Sequence, residues 1–564
     1  MVTSRTRRLV KTEQTQRGYR DLREHLAALE EAGLLIRVRR PINKDTEMHP
    51  LVRWQYRGGI PEDQRKAFLF ENVVDAKGRT YPFPVLVGGL AASPQVVSIG
   101  LQCPLASMDD LWKRAMANPI DPVLVETGPV HEEVHIGDEL DREGLGLDEI
   151  PVPISTPGFD NGPYTSASHW ITRDPETGIR NIGNYRGQVK ARRRLGVFAS
   201  FLTQHIYLHW DKARKLGQPL PAAVVIGCPP AISYASVQKI PYGVDELAVA
   251  GGLVGEPIRV VKCKTIDLEV PAEAELVIEG YLRTDELEPE GPFGESHGYM
   301  HPRGLMPFLE ITAITHRRDM IHTAFISQVT PSESSVIKKV GYDALFLHHL
   351  RDVLSLKSVK RVLMHEPLTN LRKFIMIQME HPSEPEVWRA LHAAATFHPG
   401  VGKFVVAIDT DIDPENLDAV MWAICYRSKP DRDVQVIPGL EKGHSPPFTT
   451  HGLIAGKPEF YGRGEDAALL INAVLKEPYP PISLPKREFM ERAREIWEEL
   501  ELPALRPESP WYGYSLGDWD DEMDEEAALA VQGEHYRIGE KLAARRVKTT
   551  GEPAGGSDDV AGQR

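Results

Sequence analysis

His131-Glu132-Glu133-Val134-His135 spells H-E-x-x-H, a spacing that sets two zinc-binding imidazoles on one face when it lies on a helix. Gly128-Pro129 stands just before it and Gly137 just after it, leaving too few residues for a helix of ordinary length. Val130, Val134 and Ile136 share one parity, as in an extended segment with one apolar face. The segment is therefore expected to be extended, and a zinc-protease reading is set aside. Two acids of another kind, Glu290 and Glu295, flank Gly291-Pro292-Phe293-Gly294, a loop in which regular structure does not dictate where they point. Neighbouring glutamates suit general acid/base work. No P-loop, no G-x-G-x-x-G and no C-x-x-C occurs, so the usual nucleotide and zinc-ribbon motifs are absent.

Four segments carry a resemblance. Asn181-Ile182-Gly183-Asn184-Tyr185-Arg186 has the form N-x-x-x-x-R. Phe201-Leu202-Thr203-Gln204-His205 follows, then Gly243-Val244-Asp245-Glu246-Leu247-Ala248. Pro289-Glu290-Gly291-Pro292-Phe293-Gly294-Glu295, followed by His297-Gly298-Tyr299, is the most distinctive. In this order and spacing they resemble the UbiD family of prenylated-FMN-dependent aromatic acid decarboxylases and carboxylases. The likeness extends more loosely from the first helix to Trp497-Glu498-Glu499-Leu500, most of the chain.

The resemblance implies a metal set of Asn181, His205 and Glu246, and a cofactor-binding set of Asn181, Ile182, Arg186, Gln204, His205 and Glu246. Two oxygens and one nitrogen suit Mn²⁺ or Mg²⁺ when phosphate and water complete the shell, and K⁺ is a further candidate ion. Taken singly, the asparagine reads as a turn residue, the histidine as a core or surface residue and the glutamate as a helix-start acid. The resemblance also implies a catalytic set of Arg186, Glu290 and Glu295. Arginine forks bidentately onto a carboxylate and so can hold an acid substrate. Glu290 can orient Arg186, and Glu295 is the implied proton donor and acceptor. The implied reaction is reversible, non-oxidative decarboxylation through a covalent substrate–flavin adduct. Loss of CO₂ from an aromatic ring leaves an in-plane carbanion that side chains cannot delocalise, so an electron sink is required. A carboxylase or an aryl-CoA decarboxylase uses the same residues. A flavin-binding reductase or a structural barrel is the alternative of another class. The implied partners are a small aromatic carboxylic acid and a flavin prenyltransferase that supplies the cofactor. One segment departs from the family pattern: relatives carry a phosphate-reaching lysine where this chain reads Phe448-Thr449-Thr450-His451-Gly452, so that either Lys457 substitutes for it or His451 sits near the substrate instead.

The elements that must position these residues read as mixed α+β. Residues 1–150 are expected to form an N-terminal α/β domain behind a basic arm at 1–17. Its first helix is expected over Tyr19–Ala32, with Leu22, Leu26 and Leu29 inward and Gly33 as its stop, followed by strands at Leu35–Val38, Ala67–Val74 and Phe83–Val87. Residues 151–355 read mostly as short strands (Ala222–Ile226, Ile258–Cys263, Glu275–Ile278, Leu309–Thr315) between Gly/Pro turns, which favours a barrel or sandwich. By the resemblance this is the split β-barrel that holds flavin and metal. Residues 356–485 read as a second α/β unit, with strands at Phe374–Met379 and Phe404–Asp409 and a helix over Glu384–Phe397 capped by Ser383. Residues 486–564 read as a helical arm and a disordered tail. Phe489, Ala493, Ile496, Trp497 and Leu500 make one apolar stripe, which packs either on its own domain or on a neighbouring subunit.

Bulk properties limit the rest. The 564 residues exceed what one core usually serves. A net charge of -14, from 80 acidic and 66 basic residues, lacks the basic footprint of general nucleic-acid binding. The four cysteines, Cys103, Cys228, Cys263 and Cys425, are scattered and read as reduced core thiols of a cytoplasmic protein. No apolar run approaches the roughly 20 residues that span a bilayer, and Arg5, Arg7 and Arg8 precede no apolar stretch of the kind a signal peptide needs. A homodimer or homohexamer is expected.

Overall fold

The computed structural model describes residues 18–199, 204–238, 240–301, 303–369, 371–398, 400–440, 466–508 and 519–546. The basic arm, the segment with His451 and Lys457 and the last residues lie outside that set. The chain divides into two compact units, Met1–Ala407 with Lys429–Asn472, and Ile408–Ser428 with Ala473–Arg564.

In the first unit the opening helix is Leu22–Glu31. Asp21 starts it by accepting the N–H groups of Arg23 and Glu24 at 3.0 Å, and Gly33, at φ +69°, ends it. Leu22, Leu26 and Leu29 are buried, each contributing about 1.5–3 kcal/mol. Strand Leu35–Val38 pairs in parallel with Ala67–Phe70, which pairs antiparallel with Val85–Val87. The fourth strand of this sheet, His322–Ala324, comes from far along the chain. Nearby, the fully buried Glu333 carboxylate accepts the N–H groups of Gly88, Leu90 and Ala91 at 3.1–3.4 Å and of Ile326 at 3.3 Å.

The site rests on a nine-stranded sheet whose main path runs Arg180–Asn184, His169–Arg173, Leu220–Ile226, Leu276–Leu282, Phe308–His316, Arg194–Val197, Gly187–Ala191, Tyr164–Thr165. Both faces of its centre are buried. Ala223, Val225 and Val277 join one core; Ala222, Val224, Ile226 and Ile278 join another. That is why these strands read as continuous apolar runs and not as alternation. The topology also forces the sheet to curl. The first strand of the path ends at Asn184 and the next-to-last begins at Gly187, with only Tyr185 and Arg186 between them. So short a link spans at most about 11 Å, so the two margins of the sheet approach each other across an open seam. Arg186 sits in that crossing.

The middle region is richer in helix than its sequence pattern implied. His205–Lys215, Pro230–Val237, Glu246–Val254 and Glu333–His348 are all helical. Glu246–Val254 is buried nearly all round, so no amphipathic period marks it. Farther on, a five-stranded sheet runs Val359–Met364, Phe374–Met379, Phe404–Asp409, Ala467–Ala473, Val434–Pro438. The helix Glu384–Thr396 begins with a capping box between Ser383 and Glu386.

In the second unit, Arg427 donates to Asp409 and Asp411 at 2.6–2.9 Å, all three being buried. The helix Arg487–Glu499 leaves Phe489, Ile496 and neighbouring Leu500 exposed, by 46%, 41% and 63%. Cys228 is buried in the core and Cys103 and Cys263, half-buried, pack against it, while Cys425 is exposed, which corrects the core reading for Cys425 alone. None of the four is in a disulfide. Among the described residues no helix is long and apolar enough to cross a membrane.

Candidate active site

The H-E-x-x-H segment is not helical. Pro129–His131 is a short 3-10 turn and Glu133–Ile136 a strand paired antiparallel with Phe308–His316. His131 and His135 therefore do not share a helical face, and the protease geometry is absent.

Asn181 lies on strand Arg180–Asn184, where its partner across the hairpin is Thr172. Its side chain is nine-tenths buried, and its Oδ1 is 2.8 Å from His205 Nδ1. His205 is the first residue of helix His205–Lys215. Glu246 is the first residue of helix Glu246–Val254, whose cap, Asp245, accepts the Leu247 N–H at 2.9 Å. Sequence carries this placement: Gly243 supplies a positive φ of +97° and Asp245 the capping oxygen, so the chain turns into the helix at Glu246. Glu246 Oε1 is 4.0 Å from His205 Nδ1, and Oε2 accepts the Ile182 N–H at 3.0 Å. Three residues distant in sequence thus converge, while the Ile182 backbone orients one of them.

Their donor chemistry fits a divalent ion. Glu246 is buried, and that burial pushes its carboxyl up to about 8. Such a group is poised for a cation to restore its charge. The 2.8 Å between Asn181 Oδ1 and His205 Nδ1 is close to the edge of about 3.0 Å between adjacent ligands of a six-coordinate ion at about 2.1 Å. Asn181 Oδ1, a His205 ring nitrogen and a Glu246 oxygen are the atoms that would hold it.

Arg186, Glu290 and Glu295 meet in a second cluster. Arg186 Nε and Nη2 donate to the two carboxylate oxygens of Glu290 at 2.9 Å each, and Nη1 donates to Glu295 Oε1. The guanidinium lies between two rings, 4.2 Å from the Phe198 centroid and 4.8 Å from that of Phe293. Burial works against its charge, but the Glu290 and Glu295 carboxylates outweigh burial and raise its pKa. The two acids differ in access. The Glu290 side chain is 1% exposed and the Glu295 side chain 21%. Gln204 stands at the start of the His205 helix and donates to the Phe198 carbonyl at 3.4 Å.

A doubled hairpin carries both acids. Glu288–Glu290 pairs with Gly304–Met306, and Phe293–Gly294 pairs with Met300–His301. Between Glu290 and Phe293, Gly291 takes φ +99°, a conformation that favours glycine, and the chain reverses at Glu295–Tyr299, where the Glu295 N–H donates to the Tyr299 carbonyl at 3.0 Å. Gly294 permits close approach: a Cβ there would lie 2.7 Å from Gln328 Cγ and 2.9 Å from Thr156 Oγ1. Asp160 braces the same corner by accepting the Thr156 N–H at 2.7 Å, and burial pushes its carboxyl up to about 6. Sequence reasoning singles out neither Phe198 nor Asp160, and it names Ile182 for the cofactor and not for its amide on Glu246. The one signal for Phe198 is the short strand Arg194–Val197 leading to it.

Comparison with known proteins places the chain in a family. Residues 26–115, 123–329 and 335–457 match the N-terminal, Rift-related and C-terminal domain models of 3-octaprenyl-4-hydroxybenzoate carboxy-lyase, UbiD. The structure is similar to that of the UbiD-class enzyme HmfF from Pelotomaculum thermopropionicum in complex with prFMN, with 32% identity, TM-score 0.69, and coverage of 83% of this chain and 97% of that one. It is similar to Sedimentibacter hydroxybenzoicus vanillic acid decarboxylase, with 25% identity, TM-score 0.71, and coverage of 86% and 99%. In sequence it is 29% identical over 452 residues to the phenolic acid decarboxylase of Bacillus subtilis (strain 168), covering 78% of this chain and 92% of that one. The chain belongs to the UbiD family of carboxy-lyases.

Proposed function

We propose that this protein catalyses the reversible, non-oxidative decarboxylation of an aromatic or heteroaromatic carboxylic acid, with prenylated FMN and Mn²⁺ or Mg²⁺. The observation that carries the reading is the unequal treatment of two acids by one arginine. Glu290 takes the fork of Arg186 and is sealed from solvent, while Glu295 meets Nη1 and keeps part of its surface open. One acid is built to hold the arginine, the other to reach a reacting atom. When bound, prenylated FMN supplies a centre that bonds to the ring carbon and takes up the electrons released with CO₂. Asn181, His205 and Glu246 would hold the divalent ion, which would supply positive charge to the anionic cofactor. Arg186 attracts the substrate carboxylate through its Nη1 edge, which Glu290 does not take and Glu295 now meets. Glu295 delivers a proton to the carbon that carried the carboxylate, and takes one back in the reverse direction. The relatives support this reading, since they include a vanillic acid decarboxylase and a structure in complex with prFMN.

The mass of the flavin released from protein made with a flavin prenyltransferase tests the assignment. Prenylated FMN is the expected species. Unmodified FMN with hydride-transfer activity instead favours a reductase. In the same preparation His205→Ala should lose metal and flavin together, and full retention of both would remove the basis for the site.

The exposed stripe Phe489, Ile496 and Leu500 supports a homo-oligomer, a dimer or a hexamer. Light scattering at micromolar concentration should return at least twice the chain mass, and Leu500→Glu should lower it. A monomeric wild type contradicts this.

A further inference from the structure

We propose that His135, Glu149 and His316 form a second cation site, for a zinc-class ion, separate from the residues assigned to flavin and metal above. His135 lies on strand Glu133–Ile136 and His316 at the end of Phe308–His316. These strands pair with His135 opposite Ile314 and His316 opposite Glu133, so the two histidines share one face, diagonally adjacent. Glu149 closes the short turn Gly146–Glu149 against them. Glu149 Oε2 is 4.0 Å from His135 Nε2 and 3.7 Å from His316 Nε2. Both separations are too long for hydrogen bonds.

The second ring nitrogen fixes the proton of His316. His316 Nδ1 is 2.7 Å from the Arg317 carbonyl, which only accepts, so Nδ1 carries the hydrogen. His135 Nδ1 lies 3.6 Å from Glu139 Oε1, outside hydrogen-bond range, and is buried without a hydrogen-bond partner. In neutral His316, Nε2 then turns a lone pair toward the carboxylate oxygen that His135 Nε2 also faces. Metal-binding histidines are held as His316 is, with the far nitrogen on a carbonyl or carboxylate. His316 Nε2 and Glu149 Oε1 are buried without a hydrogen-bond partner, in residues only 3% and 8% exposed. A proton satisfies one edge of this triangle, whereas a divalent ion satisfies all three. Glu133 is committed elsewhere, accepting from Arg318 at 2.9 Å.

The geometry admits the ion. The three ligand atoms lie within 4.8 Å of one another, so the centre of their triangle is within about 2.8 Å of each, against about 2.0–2.2 Å for bound zinc. Side-chain rotation closes that difference. Two imidazoles and one carboxylate suit zinc more than magnesium or calcium, and water completes a tetrahedron. The ion would staple the turn Gly146–Glu149 to the edge of the curled sheet.

Equilibrium dialysis against zinc tests this on the full chain. His205→Ala, which disables the flavin-associated site, should still bind one zinc per chain. Adding His135→Ala, the most exposed of the three ligands, should weaken that zinc by at least about 100-fold with the circular dichroism spectrum unchanged. An anomalous peak at the zinc edge among the three residues, in crystals of the flavin-loaded enzyme, is the expected direct image. Zinc binding that survives His135→Ala in the His205→Ala background overturns the proposal. So does a His205→Ala protein that binds no zinc, which would leave a histidine–carboxylate ion pair only.

Discussion

Glu295→Gln should keep the fold, the flavin and the metal and lose turnover by roughly 10²–10⁴-fold, the usual cost of a missing general acid/base. Glutamine preserves the shape and still accepts from Arg186 Nη1 through its amide oxygen. It cannot carry a proton to carbon. Exchange of solvent deuterium into the product carbon should fall with turnover, because exchange needs the same relay. Glu290→Gln is a different lesion. It weakens the fork that aims Arg186, so substrate affinity should fall along with rate. Unchanged exchange in Glu295→Gln would show that another group delivers the proton, and the roles given to the two glutamates would be abandoned.

Arg186→Met should be worse for the protein as a whole. It removes the cation that neutralises Glu290, a side chain 1% exposed, and so strands a buried carboxylate. Breaking such a pair from one side costs about 3–5 kcal/mol. Methionine keeps much of the volume between Phe198 and Phe293, so the loss reports charge more than packing. Urea unfolding should show the midpoint falling by an amount that Arg186→Met/Glu290→Met largely restores, since removing both charges leaves neither one unpaired. Decarboxylation should be abolished in both variants. A single variant as stable as wild type would mean that Glu290 is compensated by a group other than Arg186.

The candidate site residues are legible through the family resemblance of four short segments, and the structure brings Asn181, His205 and Glu246, and Arg186, Glu290 and Glu295, together in two clusters. The strands Phe374–Met379 and Phe404–Asp409 and the capped helix after Ser383 are legible because their signals are local. What stays hidden is non-local. The placing of Phe198 against Arg186 depends on the curl of the sheet, and the Ile182 amide finds Glu246 across 64 positions. The helix Glu246–Val254 hides because it is apolar on every side, and His316 meets His135 only through strand pairing. Conversely, the H-E-x-x-H spelling is local and misleading: its glycines and prolines decide the backbone before the histidines can. Lys457, the candidate for the missing phosphate contact, and His451, the candidate neighbour of the substrate, lie outside the described residues.

The most direct measurement is CO₂ release from a panel of aromatic and heteroaromatic acids in D₂O, using protein loaded with prenylated FMN and manganese. At least one acid should lose CO₂ and yield a product with deuterium on the carbon that held the carboxylate, and protein carrying unmodified FMN should be inactive. Release of no CO₂ from any acid by fully loaded protein, or equal activity with unmodified FMN, would contradict the assignment.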